Sequence, residues 1–317
     1  MQLLPNDDQQ QILNFIDGLS RPFATVPIHD TAFALTSNDL DQALVDGGFL
    51  DVMADETLGA ATAALIVERL ARLPFTVEAA ASALIRPLLA PALPRPLCLV
   101  EEHRLQRPVR FLRPGATVVV VGSEGVRSFT ATDRHVRSAG DEVLYAYPVA
   151  FLAEVPPLED MRDHGPIADT VRTHWRISLA AEAAGLLGAA LAIVVDHVSE
   201  RKQFGRPLAA FQGVRHRLAE AQVWTNGCYW VAMKAAATRN AADAALAALH
   251  AQEAIKQVTY DLHQFMGAMG MTLEHPLHLW TYRLKALSAD LGGRGRQALA
   301  AATALWGDSK GSETRLV

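Results

Sequence analysis

Residues 200–212 read Glu-Arg-Lys-Gln-Phe-Gly-Arg-Pro-Leu-Ala-Ala-Phe-Gln and crowd cations, an aromatic and two amides into one junction. Arg201 offers a planar fork of donors suited to a phosphate or pyrophosphate. Phe204 adds a flat apolar face beside that fork. Gly205 permits a tight turn, and Pro207 suits the first turn of a following helix. A helix start also presents free N–H groups and a positive dipole end to an anion. A phosphate-bearing ligand with a stackable apolar part fits this chemistry. A helix–loop–helix corner with solvated charges fits the same residues, and the residues alone leave both readings open.

The junction is positioned by long apolar patterns of helical period. Residues 169–199 form one, with Asp169 or Thr170 as N-cap; residues 207–238 form a second. Residues 240–266 form a third, with Asn240 as N-cap, and residues 275–292 a fourth that opens at Pro276. Short loops between long helices predict an up-and-down four-helix bundle. Upstream, residues 39–48 and 58–73 read as helices, the latter stopped by Pro74. Residues 77–89 read as a helix kinked at Pro87 and closed by Pro91 and Pro94. Residues 116–122, 125–131 and 143–151 are β-branched or alternating. Turns at 114–115, 123–125 and 139–141 separate them. The expected fold class is α+β, mostly α. It divides into a helical domain over 1–94, a small antiparallel β domain over 95–160 and a four-helix bundle over 161–317.

Half of the 317 residues are hydrophobic and the net charge is −5, which gives no global attraction to nucleic acid. No apolar run reaches the ~20 uncharged residues that span a bilayer, since the richest run, 177–195, carries Glu182. It reads as a buried bundle helix. The acidic, amide-rich N-terminus does not resemble a secretory signal. Cys98 and Cys228 are far apart, which argues against a disulfide scaffold or zinc site and for a reducing cytoplasm. His174, His275 and His278 match no standard metal-ligand spacing.

The stretch Val-Ser-Glu-Arg-Lys-Gln-Phe-Gly-Arg-Pro-Leu at 198–208, with Phe211-Gln212 and His216-Arg-Leu-Ala-Glu220, resembles the acyl-CoA dehydrogenase signature S-x-R-x-Q-F-G-R-P-I, F-Q, H-x-L-A-D. Residues 264–277, from Gln264-Phe-Met-Gly-Ala268 to Glu274-His-Pro-Leu277, resemble that family's Q-x-x-G-G-x-G-F-T-x-E-x-P-L. Ala268 replaces the second glycine and Met271 the phenylalanine. The resemblance implies a helical domain, a central β-barrel and a C-terminal bundle, with FAD held between one subunit's barrel and its neighbour's bundle. It implies that Arg201 meets the pyrophosphate and that Phe204 packs on the cofactor. Gln203 and Leu208 then line the same wall, and Gln212 fixes the helix start. Gln264 and Gly267 reach the adenine and ribose end, with Ala268 beside them.

The same resemblance exposes gaps. The family's T-E-P-x-x-G-S-D and W-I-T-N stretches, which hold the isoalloxazine, have no counterpart in 95–155. A carboxylate base is needed to remove a proton α to the thioester carbonyl as hydride leaves to flavin. The two positions where the family carries it fall at Trp175 and Leu291. Asp290 is adjacent to one, and Glu182 lies about two turns along the helix from the other. Glu182 also reads as a buried carboxylate paired with an arginine. Trp224, Tyr229 and Trp230 read as packing. Arg283, Lys285, Arg294 and Arg296 are candidates for CoA phosphates or plain surface cations.

Three readings stand. The chain is a companion subunit of a heteromeric acyl-CoA dehydrogenase that acts on an acyl-CoA, passes electrons to an electron-transfer flavoprotein or similar acceptor, and relies on a larger paralogue for the base. Such divided members act on bulky substrates such as steroid side chains. Alternatively it is a homo-oligomeric enzyme with Asp290 or Glu182 as displaced base, or a non-catalytic scaffolding module.

Overall fold

The computed structural model describes residues 4–26, 32–89, 93–140 and 146–307. Helix α1 (Asp7–Ser20) opens on a capping box made by Asn6 and Gln9. Helix α2 (Asn38–Asp46) is capped by the Ser37 hydroxyl. Helix α3 (Gly59–Ala71) follows, then α4 (Ala80–Leu84) and α5 (Arg86–Leu89). The single helix expected over 77–89 is two pieces. Ile85 leaves helical geometry and Pro87 sits in the first turn of the next piece, where its missing N–H is tolerated. Pro91 lies outside the described residues. Strands β1 (Leu35–Thr36) and β2 (Phe75–Thr76) pair in parallel across this domain.

The middle region holds β3 (Leu97–Glu101), β4 (Val109–Arg110), β5 (Thr117–Val121), β6 (Val126–Thr130), β7 (Val136–Ser138), β8 (Val149–Leu152) and β9 (Arg162–Asp163). They form two sheets in the orders β3-β5-β6-β9 and β4-β8-β7. All pairs are antiparallel except β3–β5, which is parallel. Strand β3 was not foreseen because both its faces are covered, so Leu-Cys-Leu-Val shows no alternation. Asp141 of the expected third turn and residues 143–145 of the expected strand lie outside the described residues; that strand's end is β8. Every residue of β5 is buried. Val118 and Val120 face the small core of Cys98, Phe129 and Leu152, while Val119 and Val121 face Val171, Trp175 and Leu291. That second face docks the sheet onto the bundle.

The bundle comprises α6 (Ala168–Glu200), α7 (Gln212–Thr238), α8 (Ala241–Met266), α9 (His278–Leu287) and α10 (Gly293–Trp306). Helix α6 packs on α3, α7, α8 and α9, and α8 packs on α7 and α10. By length and composition alone α6 could cross a membrane, yet 78% of its most apolar window is buried inside the protein. Gly185 allows its close approach to α3, since a Cβ there would stand 2.1 Å from the Glu68 carbonyl.

Asn240 caps α8 through the Ala242 and Asp243 N–H groups, as the sequence predicts. The other cap expectations need correction. The N-cap position of α6 is Ile167 with no side-chain bond, and Asp169 pairs with Arg172 instead. Helix α7 begins at Gln212, because Pro207 belongs to the hairpin of β10 (Lys202–Gln203) and β11 (Arg206–Pro207), followed by a 3₁₀ turn over Leu208–Ala210. The helix expected over 275–292 is interrupted. Leu291, Gly292 and Gly293 all take positive φ, and a new helix continues to Trp306.

Candidate functional site

The 200–212 junction is a two-residue hairpin at one end of the bundle. Phe204 (φ 52°) and Gly205 (φ 79°) form its turn. Positive φ at both central residues is the geometry that matches strand twist, but it strains any side chain other than glycine or asparagine. The strained Phe204 is 90% exposed. Its ring meets Phe211 edge-on at 6.1 Å, and the Arg206 guanidinium lies 4.0 Å over the Phe211 ring. Arg201 is the C-cap of α6, and its backbone holds the hairpin base through a 2.9 Å bond from the Leu208 N–H. Its side chain is exposed, with no polar partner among the described residues.

The remaining predicted wall residues divide. Gln203, Gln212, Gln264, Gly267 and Ala268 are exposed, whereas Leu208 is half-buried against the bundle core and supports the corner from behind. Gln212 does not cap α7; its amide reaches His216 at 3.4 Å. Gly267 ends α8 at φ 58° with open space where a Cβ would stand. Ala268 follows in a 3₁₀ turn without positive φ, so its methyl is accommodated without strain. Arg217 of α7 pairs with Asp261 and lies 5.7 Å over the Phe265 ring, which ties the start of α7 to the end of α8. His197 of α6 meets His275 at 5.8 Å. The ends of α6 and α8 and the start of α7 thus converge. Together they present an unpaired cation, an exposed aromatic and an exposed helix end.

The second site lies where the sheet docks on α6. Trp175, Ser178 and Glu182 share one stripe of that helix and face β4. Arg110 of β4 donates to Glu182 Oε2 at 3.2 Å and to Asp290 Oδ2 at 2.9 Å. Its guanidinium sits 4.9 Å over the Tyr147 ring, and the Tyr147 hydroxyl donates to Glu182 Oε1 at 2.6 Å. Burial works against the Arg110 charge, but Asp290 and Glu182 outweigh it and hold the guanidinium protonated. Burial also raises Asp290 above the usual carboxylate range, opposed by Arg110. Cavities of 70 and 90 Å³ flank Arg110, both also lined by Trp175 and Asp290. Pockets that hold cofactors run to about 300 Å³ and more. The cleft is therefore closed to such a ligand; of the four carboxylates that line it among the described residues, Glu182 and Asp290 are tied to Arg110, while Glu78 and Glu101 pair with Arg95 and Arg104.

Arg110 and Tyr147 were not foreseen. The one signal was Glu182 inside an apolar helix, which demanded a cation, but 72 residues separate it from Arg110. Other candidates resolve into structure. Arg283 is buried and donates to the Leu73 and Leu279 carbonyls at 2.6 Å, so it does not face a CoA phosphate. Arg294 pairs with Glu253 at 2.9 Å, and Arg296 reaches His103 at 3.2 Å. Trp224 stacks on His250, and Tyr229 meets Trp230 edge-on.

Residues 166–304 match the family described as acyl-CoA dehydrogenase, C-terminal domain. This C-terminal part of the chain is therefore similar to the C-terminal domain of acyl-CoA dehydrogenases. Acyl-CoA dehydrogenase IpdE2 of Mycolicibacterium smegmatis is 34% identical over 137 residues, 43% of this chain and 42% of that protein. The short-chain specific acyl-CoA dehydrogenase of Clostridium acetobutylicum is 35% identical over 117 residues, 35% of this chain and 31% of that protein. The matches therefore span less than half the length of these relatives. The acyl-CoA dehydrogenase fold extends over the whole chain. The ChsE4–ChsE5 complex of Mycobacterium tuberculosis aligns with a TM-score of 0.73 at 17% identity, over 96% of this chain and 99% of that one. Butyryl-CoA dehydrogenase of Megasphaera elsdenii aligns at 0.69 and 19% identity, over 96% and 100%.

In this acyl-CoA dehydrogenase scaffold the two positions that the resemblance assigns to a base are apolar and buried. Trp175 is 5% exposed and Leu291 is 4% exposed. The residues present fit one half of a flavin dinucleotide. The corner at 201–212 and 264–268 has the free guanidinium and exposed faces that an ADP moiety needs. The cleft around Arg110 does not fit an isoalloxazine ring.

Proposed function

We propose that this chain is the companion subunit of a heteromeric, FAD-dependent acyl-CoA dehydrogenase that desaturates an acyl-CoA thioester between its α and β carbons. The observation that carries this reading is the closed cleft. Glu182 and Asp290 are both bound to Arg110, and Glu78 and Glu101, which also line the flanking cavities, pair with Arg95 and Arg104. The oxygens of Glu182 and Asp290 are engaged by the Arg110 guanidinium and, for Glu182, also by the Tyr147 hydroxyl, and the flanking cavities are too small to bring an acyl-CoA against them. A larger paralogue, by this reading, supplies the base and the flavin-ring pocket. FAD, when bound, supplies the hydride acceptor. This chain's residues do the positioning. Arg201 binds the pyrophosphate through its planar fork, Phe204 covers an apolar face of the cofactor, and Gln264 with the Gly267 backbone meets the adenosine end. Several matched proteins are named as acyl-CoA dehydrogenases, and the ChsE4–ChsE5 structure is named as a complex of two different chains. The first supports the reaction class and the second a divided assembly; a bulky acyl-CoA as substrate and a flavoprotein as electron acceptor complete the proposal.

The test is co-expression with a neighbouring dehydrogenase paralogue. The pair is expected to co-purify as a yellow complex that reduces an artificial acceptor with acyl-CoA. In that complex Arg201→Ala loses about ten- to hundred-fold in flavin affinity, the scale of one hydrogen bond to a charged group, and Arg201→Lys restores part. The readout is flavin retained after gel filtration. A colourless chain that binds no paralogue points to the scaffolding reading. A hundred-fold loss of turnover in a folded, flavin-loaded Asp290→Asn complex points to a displaced base.

A further inference from the structure

Beyond the 264–268 turn, a groove runs between α8, α9 and the 3₁₀ turn that follows α8. Its volume is 610 Å³, within the range of sites that hold drug-sized ligands. Its walls are apolar and aromatic, from Phe33, Ile255, Tyr260, Met271, Leu273 and Tyr282. Two cations line it. Lys256 is exposed, and the Lys285 ammonium lies 5.6 Å over the Tyr282 ring. Among the described residues no carboxylate lies within ion-pair distance of either ammonium, in a chain whose net charge is −5. The wall also holds an orphan. Among the described residues the Thr259 hydroxyl, shielded from solvent, has no hydrogen-bond partner, although a helical threonine can usually reach the carbonyl four residues back. His263 is not spare, since its two ring nitrogens meet the Gly270 carbonyl at 2.8 Å and the Thr281 hydroxyl at 3.1 Å.

An apolar trough with unneutralised ammonium groups and one unsatisfied hydroxyl is complementary to a molecule with a hydrophobic body and an anionic head. We infer that the α8–α9 groove binds an amphipathic carboxylate, its apolar body along Ile255, Met271 and Leu273 and its carboxylate between Lys256 and Lys285. The groove shares no lining residue with the Arg110 cleft or with the residues assigned to the cofactor corner, although Gly270 and Met271 of its wall continue the turn of Gly267 and Ala268, and it does not rest on the companion-subunit reading. A linear acyl chain and a fused-ring body share this chemistry, so the test has two arms.

The experiment is calorimetric titration of the purified protein, in the assembly in which it is isolated, with decanoate and with cholate. Saturable binding of at least one of them is expected, weakening with added salt. Lys256→Gln and Lys285→Gln each lower affinity up to about five-fold, the scale of an exposed ion pair, and the double variant lowers it further. Decan-1-ol, which keeps the body and lacks the charge, is expected to be insensitive to the same substitutions. Both lysines are exposed, so the variants keep the fold, and circular dichroism verifies this. Absence of saturable binding in both arms overturns the inference. So does equal carboxylate affinity in the double variant, or a structure of the complex with a partner chain's side chains filling the groove.

Discussion

Arg110 closes the cleft by bridging two acids at once, and its removal should show this. Arg110→Ala leaves Glu182 and Asp290 facing each other without a cation. Losing one partner of a fully buried pair costs about 3–5 kcal/mol. The Arg110 side chain is 22% exposed, so about 2–4 kcal/mol is expected from urea unfolding. Adding Asp290→Asn should recover part of that loss, because the repulsion it leaves is then gone. A single-variant cost under ~0.5 kcal/mol would place the network at the level of an ordinary surface contact.

His275 gives the protein an acid sensitivity of its own. Burial, then the positive charge that His197 and His278 can carry, lower it to about 4. The unfolded chain titrates near 6.5, so between these values the unfolded state binds the extra proton and stability falls as pH drops. The full shift is worth about 3 kcal/mol, and partial exposure reduces the expectation to about 1–2 kcal/mol. Tm should therefore fall between pH 7 and pH 5 in the native protein. It should fall less in His275→Gln, which removes the titrating ring. Equal slopes for the two proteins would assign the acid sensitivity to other groups.

At the scale of elements, Gly185 sets the distance between α6 and α3. Gly185→Ala drives a methyl against the Glu68 backbone and against Ala71 Cβ at 2.8 Å. Backbone cannot swing aside as a long side chain does, so a loss at the upper end of the overpacking range, about 3 kcal/mol, is expected in thermal or urea unfolding. Gly188→Ala, one turn on with open space around it, serves as the control and should be neutral or slightly stabilising. The three longest helices were legible because apolar residues recur over some thirty positions, and a cap such as Asn240 is a local signal. Short elements were less legible. Strand β3 is covered on both faces and lacks alternation. Helix α10 is hidden behind Gly292 and Gly293, which read as an end when they are a bend. The corner at 201–212 was legible because its chemistry is contiguous in the chain. Arg110 and Tyr147 were not, because they meet Glu182 from a separate domain and nothing local marks that encounter.

At the scale of the whole molecule, this chain is, on the proposed companion-subunit reading, one half of a flavin site. Each pair of different chains should hold one flavin, where two self-sufficient subunits would hold two. Flavin absorbance against protein concentration in the purified complex measures this, and two flavins per pair would show that the Arg110 cleft opens. Apolar side chains left on the bundle surface, among them Val223 on α7 at 72% and Leu299 on α10 at 67% exposure, fit a subunit meant to be covered.

The Arg110 network also bears on how such a chain could change over generations. Its cation is shared by two carboxylates. Substitution of Arg110 toward an open cleft strands two carboxylates in a half-dry interior and lowers stability before it admits a ligand. The route back to an autonomous enzyme therefore crosses a fitness valley at least two substitutions wide, and a third is needed to place a carboxylate where Trp175 or Leu291 now stands. Libraries that vary Arg110 together with Glu182 and Asp290 can cross that valley in one step, whereas sequential single-site selection would stall at its edge. Once a partner supplies the missing half, the same barrier makes the division of labour hard to reverse.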